Sequence, residues 1–142
     1  MSIWKSTPSI DALNEASRHS LNEVLGIRFI EISANAVVGT MPVDQRTHQP
    51  YGILHGGASV VLAETLGSMA GNLCVNADTH YVVGLDINAN HLRSVRSGLV
   101  TGTATPIHIG NSTQVWNIEI VDDQNRKVCI SRLTLAVLER RA

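Results

Sequence analysis

The stretch Gln49-Pro50-Tyr51-Gly52-Ile53-Leu54-His55-Gly56-Gly57-Ala58-Ser59-Val60-Val61-Leu62-Ala63-Glu64-Thr65-Leu66-Gly67-Ser68 decides how the rest of the chain is read. Its first residues are turn formers. From Gly56 it becomes apolar and free of proline, which predicts a helix from Gly56 to about Val75. Ala58, Ser59, Ala63, Gly67, Ser68, Ala70 and Gly71 are all small. Glycine inside a helix costs about 1 kcal/mol relative to alanine. Such a slim helix needs a reason, and close approach by a curved sheet is one. Glu64 is the only Asp, Glu, Lys or Arg between Arg46 and Asp78.

The segments on either side supply that sheet. Upstream, Thr7 and Pro8 suit the start of a helix from about Pro8 to Leu25. Its apolar stripe is Ile10, Leu13, Ser17, Leu21 and Val24, and Gly26 stops it. Short strands near Ile27–Ser33 and Ala36–Pro42 turn at Ala34-Asn35. Downstream, Tyr81–Ser94 alternates, with Val83, Leu85, Ile87, Ala89 and His91 on one face and Asp86, Asn88 and Asn90 on the other. Gly98–Ile109, Thr113–Val121 and Lys127–Glu139 follow as strands. Trp116, Ile118 and Ile120 share one face, as do Cys129, Leu133, Leu135 and Val137. Ile109-Gly110-Asn111 and Asp122-Asp123-Gln124-Asn125 read as hairpin turns. The order α-β-β-α-β-β-β-β predicts an α+β fold, an antiparallel sheet with one long helix on its face.

Composition narrows the function. The chain has 142 residues, enough for one domain spanning 1–142, and no repeat or linker interrupts it. Charged residues make up 16%, against about 25% in ordinary soluble domains. So few charges leave surface to be covered, which predicts a homo-oligomer. The formal net charge is -1 and aromatic content is 4%, so nucleic acid is not the expected partner. Cys74 and Cys129 lie in apolar segments and read as reduced core thiols of a cytoplasmic protein. MSIWKSTPS lacks the apolar core of a signal peptide. Ile53–Ala77 is too polar to span a membrane. The six histidines show no metal-ligand spacing, and no cofactor fingerprint or nucleophile elbow is present.

The chemistry concentrates in the opening stretch. A lone carboxylate in an apolar helix is costly to bury. Glu64 lies on an exposed strip, or pairs with a distant arginine, or is a nucleophile or general base in a dry cleft. Ser68, four residues on, shares its face and reads as a helix-packing residue or a partner of the carboxylate. His55-Gly56-Gly57 opens the helix, where free N–H groups and the dipole favour negative charge. The Gly56 N–H suits an oxyanion; Gly-Gly also simply makes a tight turn. Gln49 has an amide to donate but lies in a loop, and His91 ends the apolar face of a strand.

Gln49-x5-His55-Gly56-Gly57-Ala58-x5-Glu64-x3-Ser68 with Asn88-Ala89-Asn90-His91 resembles the hotdog-fold thioesterases, within them the group acting on aromatic acyl-CoA esters. The resemblance covers nearly the whole chain. It implies a curved antiparallel sheet wrapped around the long helix and a dimer of dimers with active sites between subunits. Gln49, His55 and Gly56 of one subunit would face Glu64 and Ser68 of the other. Gly56 would polarise the thioester carbonyl with Gln49 and His55 assisting, Glu64 would attack it or activate water, and Ser68 would position that water. The acyl group would lie near Val60, Val61 and Met69. Coenzyme A would cross Gly84, His91, Leu92, Arg93 and Ser94, then the turn His108, Ile109, Gly110, Asn111, Ser112 and Thr113. Arg93 suits a phosphate. An acyl carrier protein ester is the nearest alternative substrate; dehydration or acyl-CoA binding without turnover are others.

Overall fold

The computed structural model describes residues 1–141. Its elements are α1 (Ile10–Ala16), α2 (Leu21–Val24), β1 (Arg28–Ile32), β2 (Val37–Pro42), α3 (Gly56–Leu73), β3 (His80–His91), β4 (Leu99–Ile109), β5 (Thr113–Val121) and β6 (Lys127–Glu139). The strands form one sheet in the order β1-β2-β4-β5-β6-β3, antiparallel at every pairing. α3 touches β2, β3, β4, β5 and β6, so the sheet wraps the helix as expected.

The small residues of α3 explain the closeness. A Cβ at Gly67 would stand 2.5 Å from Leu133 Cδ2. On the sheet side, Gly102 makes room for Leu66 in the same way. Leu62, Leu66, Trp116, Ile118, Ile120, Leu133 and Leu135 are fully buried in this seam. Each large aliphatic side chain so buried contributes about 1.5–3 kcal/mol. Cys74 and Cys129 are buried and unpaired, and burial pushes the Cys74 thiol up to about 11. Both thiols are packing groups rather than nucleophiles.

Two expectations are corrected. The N-terminal helix is not continuous from Pro8 to Leu25. Ser9, rather than Thr7, caps it by accepting the Ala12 N–H, and it ends at Ala16. His19 adopts φ 61°, and Ser20 caps a second short helix. Ser17 Oγ donates back to the Leu13 carbonyl and Ser20 Oγ to the Ser17 carbonyl, bonds that compete with the helical ladder. The break rotates the stripe: Leu13 and Ser17 are buried, whereas Leu21 and Val24 are exposed.

The second correction concerns β3. Gly84 pairs with Leu135 and Asp86 with Thr134, so Leu85 is an extra residue in the ladder. A bulge of this kind switches the face on which alternation proceeds. Val82 points inward and Val83 and Leu85 point outward, with Leu85 62% exposed. Beyond the bulge Ile87, Ala89 and His91 pair with the inward residues Leu133, Ser131 and Cys129.

Candidate active site

The N-terminus of α3 is built by the loop before it. Asp44 accepts from the N–H groups of Thr47 and His48 through its carbonyl, and Thr47 Oγ1 donates to the Pro42 carbonyl. The Thr47 carbonyl in turn accepts the His55 N–H at 2.7 Å. This fixes His55 as N-cap, and its Nδ1 accepts the Gly57 N–H at 2.8 Å. The His55 carbonyl takes the N–H groups of Ala58 and Ser59. Within the first turn, among the described residues, the Gly56 N–H is left without an acceptor. A free donor at a helix N-terminus attracts developing negative charge.

His91 stands beside that donor. A Cβ added to Gly56 would lie 2.9 Å from His91 Nε2. Gln49, Gly56, Ser59, His91, Leu92, Arg93 and Ser94 line one cleft of about 370 Å³. The Gln49 side-chain oxygen is occupied by the Tyr51 N–H, which leaves its amide nitrogen to donate.

Glu64 lines a different cleft, of about 300 Å³, with Asn22, Thr65, Ser68, Met69 and Asn72. The carboxylate is half-buried, is in no ion pair among the described residues, and rests directly against Gly84. Glu64 lies eight positions after Gly56 on α3, about 12 Å along the axis. A thioester carbonyl needs both groups within about 3 Å of its reacting atoms. Within one chain, donor and carboxylate therefore do not meet on one substrate.

The residues expected to hold coenzyme A are likewise divided. His91–Ser94 lie at the N-terminal end of α3. Ile109, Gly110 and Asn111 line a cleft of about 430 Å³ at its C-terminal end, with Lys5, Asn76 and His80. His108 folds over Gly110, the Ser112 carbonyl takes the Val137 N–H and the Thr113 carbonyl takes the Gly110 N–H. Val60 and Val61 are half-buried on α3 but only Met69 of the expected acyl residues reaches the Glu64 cleft.

Asn22, Thr65 and Asn72 are additional members of that cleft. Asn72 had a signal, since it follows Glu64 and Ser68 at four-residue spacing on one helix face. Asn22 had none, because it reaches the cleft only through the break between α1 and α2. No group of His, Cys, Asp and Glu among the described residues could hold a metal, and no helix there is long and apolar enough to cross a membrane.

Comparison with known proteins gives one consistent answer. Residues 51–129 match the thioesterase superfamily. The 1,4-dihydroxy-2-naphthoyl-CoA hydrolase of Escherichia coli strain K12 is 52% identical over 136 residues, covering 96% of this chain and 99% of that protein. A proofreading thioesterase of Cronobacter turicensis is 50% identical over 136 residues, covering 96% and 98%. The crystal structure of a mutant thioesterase from Pseudomonas aeruginosa superposes with a TM-score of 0.97 at 51% identity, over 98% of this chain and 100% of that one. With sequence and fold in agreement over nearly its whole length, the chain belongs to the thioesterase superfamily, has the hotdog fold, and is a thioester hydrolase.

Proposed function

We propose that this single-domain protein hydrolyses aromatic acyl-CoA thioesters at a site shared between two copies of the chain, with Glu64 as nucleophile or general base and the Gly56 N–H as oxyanion donor. The observation that carries this reading is the unused Gly56 N–H at the start of the helix that also bears the unpaired Glu64. The Escherichia coli relative is named for an aromatic acyl-CoA substrate, which supports the same class here.

The position of β3 supports the sharing. β3 is an edge strand of 12 residues, and long open edges invite pairing. Gly84, against Glu64, and His91, against Gly56, both lie on it. Antiparallel pairing of β3 with β3 about the Ile87–Asn88 peptide would set Gly84 of one copy opposite His91 of the other. Glu64 and Ser68 of one subunit would then approach Gln49, His55 and Gly56 of the partner. The row Gly84–Leu135–Gln114–Ile109 would extend from the cleft of His91–Ser94, carrying the 108–113 turn of the second copy toward a coenzyme A that starts in the first. The reaction then consists of attack on the carbonyl by Glu64 or by water it deprotonates, charge developing toward the Gly56 N–H, and departure of the coenzyme A thiolate, which takes up a proton; where Glu64 itself attacks, water then cleaves the resulting anhydride, releasing the acid and restoring the carboxylate.

A carrier-protein ester is supported less. Of Arg140-Arg141, the basic pair a carrier would need, Arg140 is committed to the Ala77 carbonyl at 2.7 Å and to the face of Tyr81.

The test is thiol release from aromatic and aliphatic acyl-CoA esters by the natural protein and by Glu64→Gln. The expected result is preference for aromatic esters and a fall of roughly 10³-fold or more in kcat for the variant. Equal turnover by both removes Glu64 from the chemistry. Release from carrier-bound esters alone replaces coenzyme A as the substrate handle.

A further inference from the structure

The short helix α2 reaches the Glu64 cleft through one side chain. Asn22 lines that cleft opposite α3, and its amide is tied at both ends. Thr65 Oγ1 stands 3.1 Å from Asn22 Oδ1, and Asn22 Nδ2 donates to Ser17 Oγ at 3.3 Å. Ser17 Oγ spends its own hydrogen on the Leu13 carbonyl at 3.2 Å. That carbonyl can only accept, so the direction of the chain is fixed. Ser17 Oγ accepts from Nδ2, and Thr65 donates to Oδ1. The amide cannot be flipped without leaving these partners unmatched.

The same count applies on the opposite wall. Asn72 Nδ2 donates to the Ser68 carbonyl at 3.1 Å, and its Oδ1 accepts the Val82 N–H at 3.0 Å. Each carboxamide nitrogen carries two hydrogens, and each uses one. The cleft is therefore bordered by two oriented amides, each with an uncommitted donor. Its support is rigid, because Asn14 clamps α1 to the sheet by exchanging hydrogen bonds with the N–H and carbonyl of Phe29 at 2.9 and 3.0 Å. An unsubstituted hydrocarbon ring leaves such donors unpaired when it excludes water, which costs free energy. An acyl group bearing an oxygen acceptor pairs them.

Building on the shared-site reading, we propose that Asn22 is a specificity-determining residue of the acyl cleft, selecting acyl groups that carry a hydroxyl or keto oxygen remote from the thioester. The N-terminal segment is then a wall of the site, held in place by the Thr65–Asn22–Ser17–Leu13 chain. Asn22 acts on binding of the acyl group and has no part in attack on the carbonyl.

Calorimetric binding of two thioethers that cannot be hydrolysed, phenacyl-CoA and hydroxyphenacyl-CoA, tests this without requiring turnover. The natural protein binds the hydroxylated ligand about 5- to 10-fold more tightly, the span of one neutral hydrogen bond. Asn22→Ala abolishes the ratio. Asn22→Leu, which keeps roughly the volume of the amide and offers a ligand neither donor nor acceptor, abolishes it too and guards against a packing defect in the first variant. A ratio of one in the natural protein, a ratio retained in both variants, or no binding of either thioether overturns the proposal. Selective thioether binding by a protein that releases no thiol from the matching thioesters would instead overturn the hydrolytic reading and leave this one standing.

Discussion

Gly84 lies flat against the carboxylate of Glu64, with no space between them for a side chain. The contact joins an edge strand to the central helix at the one ionisable group α3 carries. Because β3 bulges at Leu85, Gly84 faces inward just before the strand changes face. Gly84→Ala displaces the carboxylate and leaves the hydrophobic seam untouched. A misplacement of about 1 Å costs on the order of 100-fold in rate. Steady-state kinetics are expected to show that loss in kcat, with a melting temperature within a few degrees of the parent, since alanine also suits a strand better than glycine does. An unchanged kcat would mean that the position of the Glu64 carboxylate is not set by Gly84.

At the other end of α3 the crowding is between Gly56 and His91. Gly56→Ala keeps the backbone donor but drives a methyl group into the imidazole. Loss of an aligned oxyanion donor costs about 10²–10³ in kcat. If steric displacement of His91 is the cause, the double variant Gly56→Ala with His91→Ala loses less than the two single losses combined. Groups in contact couple in this way, and distant groups do not. Additive losses would separate the two residues.

The sequence made the long helix and the two best strands legible for a physical reason. α3 is a long apolar run with a single charge and no proline; β5 alternates strictly, and β6 does so from Cys129 to Leu135, because one face of each is buried there. Glu64 and Gly56 stood out as candidates because a lone carboxylate and a glycine are unusual where they sit in an apolar helix, and Ser68 entered only through its four-residue spacing from Glu64. The break at Ser17–Ser20 was not, since Ser17 continues the stripe and only its back-bond to Leu13 shows that the ladder stops. Nor was the Leu85 bulge, because alternation across Val83, Leu85 and Ile87 looks perfect in one dimension. It is the pairing with β6 that inserts the extra residue. Asn22 depended on both the break and the path of the chain afterwards.

The loop that places His55 carries a titratable clamp. The Arg46 guanidinium, bonded to the Asp44 side chain at 2.7 Å, holds the Asp44 carboxyl at about 2, below its ordinary 3.8. A carboxyl depressed on folding adds stability above its unfolded value, and that contribution fades as pH falls through the folded one. The clamp is exposed, so the effect is small. Thermal melts of the natural protein and Asp44→Asn should differ most above about pH 4 and converge as pH approaches about 2. A constant gap across that range would show that the ion pair adds nothing to stability.

The division of the site between two clefts makes its own prediction. Glu64→Gln and Gly56→Ala each disable one half. Unfolded together and refolded as a mixture, they form some sites from a Gly56 donated by the first variant and a Glu64 donated by the second. Random association leaves about one site in four with both halves intact. Activity of the mixture should therefore recover to about a quarter of the natural level, while each variant refolded alone stays near its own residual rate. In a site confined to one chain, every molecule of the mixture would still carry one lesion. Mixing would then restore nothing, and the 12 Å along α3 between Gly56 and Glu64 would have to be bridged by movement within the subunit rather than by a second copy.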